Sequence, residues 1–101
     1  MKLTIMIDAD SKELALEYLE NRRIELPRLK EFVAALDYKN ISDLAHKMKG
    51  NGKTYGYQEF TDLGGALEKA ARGGDENECR KIVGQIEFFI SNVEIKFTSV
   101  A

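Results

Sequence analysis

At 101 residues the chain suits one small domain, and 44% hydrophobic residues are enough to build a core. Charged residues make up 32% but nearly cancel, and a formal net charge of −2 excludes the basic footprint of a nucleic-acid binder. No apolar run reaches membrane-spanning length, no signal-peptide layout is visible, and the lone Cys79 cannot form an internal disulfide, so a reducing cytoplasmic compartment is expected.

Leu3, Ile5 and Ile7 alternate with Lys2, Thr4, Met6 and Asp8. Residues 1–9 therefore read as a short extended N-terminal arm or a short extra helix, since one strand alone has nothing to pair with. From Asp10 the period becomes helical, with Asp10 or Ser11 available as a cap. Ala15, Tyr18, Leu19 and Arg22 begin a stripe that Leu29, Phe32, Val33 and Leu36 resume after Pro27. One kinked helix or two short ones both fit, because proline lacks an N–H and disfavours helical geometry at Leu26.

Asp37-Tyr38-Lys39-Asn40 reads as a turn, with Asn40 or Ser42 capping a helix that runs to about Lys53. Tyr55-Gly56-Tyr57 interrupts it. Phe60, Leu63, Leu67, Ala70 and Ala71 mark the next helix, with Gly73-Gly74 as its stop. Asp75 caps the last one, whose stripe is Cys79, Ile82, Val83, Ile86, Phe89, Ile90, Val93 and Phe97. Four amphipathic segments with short turns predict an all-α fold, an antiparallel four-helix bundle spanning 10–101. Gly64 and Gly65 fall inside a helix at a cost of roughly 1 kcal/mol each, for which close helix approach is the return. Cys79 lies on a core stripe and reads as a buried, inert thiol. Tyr55, Tyr57 and Phe60 read as core or hinge packing.

His46 is the only histidine. At about 100° per residue, Ile41, Leu44, Ala45, Met48, Gly52 and Tyr55 share a core stripe, whereas His46, Lys49, Gly50 and Lys53 share a separate, solvent-facing arc. A neutral imidazole is an available nucleophile at cellular pH, and attack on a phosphoryl group would give an N–P bond of high transfer potential. Lys49, one turn away, can pair with phosphoryl oxygens, and Gly50 leaves room for an approaching protein. The local sequence carries no acid, base or metal cluster, so this is a docking point whose catalytic groups belong to a partner. The bland alternatives are a solvated surface histidine and an ordinary helix stop at Gly50-Asn51-Gly52. The unbroken apolar register from Ile41 to Tyr55 argues against a stop. Gly52-Lys53-Thr54 resembles the end of a phosphate-binding loop, but Lys47 stands where that loop needs glycine, and no strand precedes it.

His46-Lys47-Met48-Lys49-Gly50 and then Gly56 read H-x-x-K-G-x5-G, which resembles the histidine-containing phosphotransfer (HPt) domain of bacterial two-component phosphorelays. Tyr55-Gly56-Tyr57, Leu63-Gly64, Ala66-Leu67-Glu68 and Ala70-Ala71-Arg72-Gly73-Gly74-Asp75 continue the resemblance over roughly Asp10 to Phe97. It implies that His46 is the phosphoryl acceptor and Lys49 the phosphate-side cation. Gly50, Lys53 and Lys47 would meet the partner, and Gly56 would permit the tight turn between helices. The implied partner is a receiver domain of a response regulator or hybrid histidine kinase. No cofactor is expected on this chain, and Mg2+ is expected in the receiver. A monomer without membrane or nucleic-acid partners follows. The polar Asn51 and Lys53, larger than is usual after the K-G pair, bear on partner choice. The alternatives are the phosphorylatable N-terminal domain of a chemotaxis-type kinase and a helical receiver-binding module without phosphotransfer.

Overall fold

The structure is a computed structural model, and it describes residues 2–99. Four helices form the body: α1 (Lys12–Ala34), α2 (Tyr38–Asn51), α3 (Gln58–Arg72) and α4 (Glu76–Asn92). A strand stands at each end of the chain, β1 (Leu3–Asp8) and β2 (Val93–Thr98). The all-α bundle expected from the periodicity is the observed fold, with this small sheet added to it. No helix among the described residues is long and apolar enough to cross a membrane.

Pro27 sits inside α1, which continues through it as one helix of 23 residues. The turn before α2 lies earlier than the sequence reading placed it. Leu36 adopts φ 54°, and the Asp37 carboxylate accepts from the Asn40 N–H. Asp37 is thus the cap, and neither Asn40 nor Ser42 serves. Asp75 caps α4 as expected by accepting from the Glu78 N–H. Ser11 precedes α1 without a side-chain cap bond; the Asp8 carboxylate caps the single 3-10 turn Ala9–Ser11 instead.

The last helix stops at Asn92, five residues short of Phe97, and Val93–Thr98 is extended. The two strands pair in parallel, Leu3 against Val93 through Asp8 against Thr98. Val93 and Phe97 satisfy a helical spacing, but Val93, Ile95 and Phe97 equally satisfy a spacing of two. With β1 available, backbone pairing decides for the strand. The sheet crosses the end of the bundle where α4 finishes and α1 begins. There the Lys12 ammonium lies 5.4 Å from the Phe97 ring centroid, and Ile7 packs on the turn at Gly56.

The core is continuous. Ile41, Ala45 and Met48 of α2 share one buried cluster with Phe60, Leu67, Ala70 and Ala71 of α3, and the α4 stripe packs on α3 and α1. Cys79 is fully buried within it, and burial raises its thiol above the ordinary value. Tyr18, Tyr57, Phe60 and Phe89 form an aromatic cluster with centroids 5.1 to 6.5 Å apart. Tyr57 is wholly buried, and its hydroxyl donates to the Ala15 carbonyl at 2.6 Å. Burial, with the neighbouring Tyr18, pushes that phenol up to about 12.

Candidate functional site

The site is built at the α2–α3 crossing. A Cβ added to Gly64 would lie 2.6 Å from the Lys49 backbone nitrogen and 2.8 Å from the Ala45 carbonyl oxygen. The two backbones approach this closely only because Gly64 lacks a side chain. Gly65 has no such role, since its nearest neighbour is the Lys49 side chain at 3.7 Å. Glu68 lies one helical turn beyond Gly64, so the close crossing delivers its carboxylate to His46 on α2.

That carboxylate overturns the reading of His46 as a residue without an acid partner. Glu68 Oε2 lies 2.7 Å from His46 Nδ1 and 3.1 Å from an Arg72 guanidinium nitrogen. Glu68 Oε1 lies 3.5 Å from Lys49 Nζ. The Glu68 side chain is only 6% exposed, whereas His46, Lys49 and Arg72 are 69%, 54% and 68% exposed. Burial works to raise the Glu68 carboxyl. The hydrogen bond with His46, the Arg72 and His46 charges and the Lys49 contact outweigh it and hold the carboxyl below the usual carboxylate value.

An ionised carboxylate accepts hydrogen bonds and donates none. Its partner Nδ1 therefore carries the proton, and in the neutral ring the lone pair falls on Nε2. The exposed imidazole offers a nucleophilic nitrogen to solvent, with two cations tethered behind it. A shallow groove of about 330 Å³ beside it is lined by Ser42, Asp43, His46, Lys47, Glu68 and Arg72.

The remaining predicted site residues differ in their relation to this centre. Gly50 is exposed, and a Cβ there would meet nothing within 4 Å. Lys47 and Lys53 are exposed; Lys53 begins the 3-10 turn Lys53–Tyr55, beyond the end of α2. Gly56 is remote from His46 chemistry. It adopts φ 100°, a left-handed conformation that closes this turn, and Ile7 occupies the space a side chain would need. Glu68 and Arg72 are the residues the sequence reading left without a role. The signal was present, because Glu68 interrupts the buried face Phe60, Gly64, Leu67 and Ala71, and a buried acid requires a partner.

A family model for the Hpt domain matches residues 13–95. The chain belongs to the Hpt-domain family. The match runs from the first turn of α1 into β2, so it takes in the whole bundle and every residue of the His46 centre. No curated protein and no solved structure matches the chain significantly. An Hpt domain is a phosphotransfer module of two-component signalling, one that works with receiver domains. Among the described residues of this Hpt domain, no group of three His, Cys, Asp or Glu side chains could hold a metal ion.

Proposed function

We propose that His46 accepts a phosphoryl group from a receiver aspartate, or passes one to it, as an intermediate carrier in a phosphorelay. The observation that carries this reading is the 2.7 Å contact of Nδ1 with a buried carboxylate on a ring that is otherwise exposed. It leaves Nε2 as the attacking atom. In the forward step the Nε2 lone pair forms the N–P bond as the aspartyl O–P bond breaks, and the electron pair leaves with the receiver's carboxylate. Glu68 holds the Nδ1 proton and balances the positive charge that develops on the ring. Lys49 and Arg72, tethered on Glu68, are placed to turn toward the phosphoryl oxygens. Transfer in the reverse direction uses the same contacts. The divalent cation belongs to the receiver, and Gly50 gives its active site clearance beside the ring. Lys47 and Lys53 extend the basic rim available to the docking partner.

The reading is tested by incubating the protein with a panel of phosphorylated receiver domains. The wild type acquires an acid-labile, base-stable label from at least one receiver, His46→Gln acquires none, and Gly50→Arg loses transfer while keeping its helix content. Equal labelling of His46→Gln would sink the assignment.

A further inference from the structure

The two-stranded sheet is unfinished by the standards of its type. Parallel strands ordinarily lie inside larger, covered sheets, and a two-stranded ribbon is marginal alone. Here both strands have an unpaired edge among the described residues, because the sheet order is β1-β2 and no more. The two edges are not equivalent. Leu3 and Ile5 of β1 are half-buried like their partners Val93 and Ile95, but Ile7 is buried against the Gly56 turn whereas its partner Phe97 on β2 is only half-buried, and α1 packs on β1. β2 is therefore the outer strand.

Its exposed face carries Glu94, Lys96 and Thr98. Across the sheet, Glu94 stands opposite Thr4 and Lys96 opposite Met6, so neither charge has an ionic partner on β1. No ion pair among the described residues includes either of them. A second β2, antiparallel across a two-fold axis, can pair on the same face only in registers centred on a residue. Centring on Glu94 sets two glutamates opposite each other, and centring on Lys96 sets two lysines opposite each other. Centring on Ile95 sets Glu94 opposite Lys96 twice, Ile95 opposite itself and Val93 opposite Phe97. Only this register is charge-complementary, and it also brings the half-buried apolar residues together.

We infer that this chain forms a two-fold dimer through its β2 edges, making a four-stranded sheet β1-β2-β2-β1 centred on Ile95. The partner is a second copy of the chain. β2 continues α4, whereas His46 lies on α2 and is held from α3, so each protomer keeps its own exposed imidazole. The dimer differs from the monomer expected from the sequence, and it does not depend on His46 chemistry.

The test is a charge-swap experiment read by sedimentation equilibrium, with circular dichroism to confirm folding. The wild type dimerises. Glu94→Lys and Lys96→Glu each place like charges opposite each other twice and weaken the dimer by about tenfold or more. An equimolar mixture of the two single variants restores association as a heterodimer, because a strand with lysine at both positions then faces a strand with glutamate at both. The double variant Glu94→Lys/Lys96→Glu dimerises with itself. A wild type that stays monomeric at millimolar concentration overturns the inference. So does a dimer that both single variants retain, or a mixture that fails to recover. If a single variant unfolds, the double variant alone decides, since failure to dimerise while folded is equally fatal.

Discussion

Replacing Gly64 by alanine sets two effects against each other. Alanine in a helix interior is favoured over glycine by roughly 1 kcal/mol. Overpacking a tight interface costs roughly 1–3 kcal/mol. At Gly64 the added carbon would stand 2.6, 2.8 and 3.0 Å from three backbone atoms of α2. No rotamer change relieves such contacts, so α3 must move away by most of an ångström. The cost falls in the upper part of the overpacking range, for a net loss of about 1–2 kcal/mol. In a domain of this size that lowers Tm by roughly 5–15 °C. Gly65→Ala is the matched control, because its new carbon meets only the flexible Lys49 side chain at ordinary distance. It should gain up to about 1 kcal/mol. The moving helix also carries Glu68, so Gly64→Ala should free His46 Nδ1, which nitrogen chemical shifts of the imidazole report as a mixed tautomer. Gly64→Ala matching or exceeding Gly65→Ala in thermal stability would refute the close-crossing argument.

Glu68→Ala should lower stability modestly at neutral pH, because the carboxylate's favourable contacts are lost while the three groups it releases are already well exposed. Transfer from a phosphorylated receiver should slow by about tenfold to a hundredfold in single-turnover assays, the worth of a hydrogen bond to a charged group. The same variant should flatten the acid limb of unfolding. A carboxyl held below its unfolded value of 4.5 contributes stability above that pH and loses it as pH falls through the folded value. At the alkaline end Tyr57 acts in the opposite sense. Its phenol, raised from 10.0 to about 12, keeps its proton in the folded state after the unfolded chain has lost it, so stability falls between those pH values. Tyr57→Phe should reduce that slope in a pH series of thermal melts, with the raised Tyr18 phenol leaving part of it, at a cost of about 1 kcal/mol at neutral pH for the lost hydrogen bond.

The parts of the fold legible in the sequence were those set by local periodicity. The α2 stripe from Ile41 to Met48 and the α4 stripe from Cys79 to Ile90 are buried where a helical count places them. The Asp75 cap and the stop at Gly73-Gly74, with Gly74 at φ 65°, follow from short-range chemistry. What escaped was non-local. Val93–Thr98 suits helix and strand alike, and only β1, at the far end of the chain, decides between them. Asp37 caps α2 because Leu36 turns left-handed, an unusual conformation for that residue. At the site, His46, Lys49 and Gly50 stand together in sequence and were found together. Glu68 and Arg72 reach them only through the crossing that Gly64 allows, which a motif written along one helix does not contain.

The parallel pairing of β1 with β2 has a mechanical consequence. Leu3 lies beside Val93 and Asp8 beside Thr98, so the preceding chain joins at one end of the ribbon and the following chain leaves from the other. Tension between the two ends pulls the strands past each other along their length and loads their hydrogen bonds together. An antiparallel pair with both ends on one side would instead open like a zip, one bond at a time. The bundle sits behind this clamp, and the α2–α3 crossing that orients His46 is shielded from pulling until the clamp gives way.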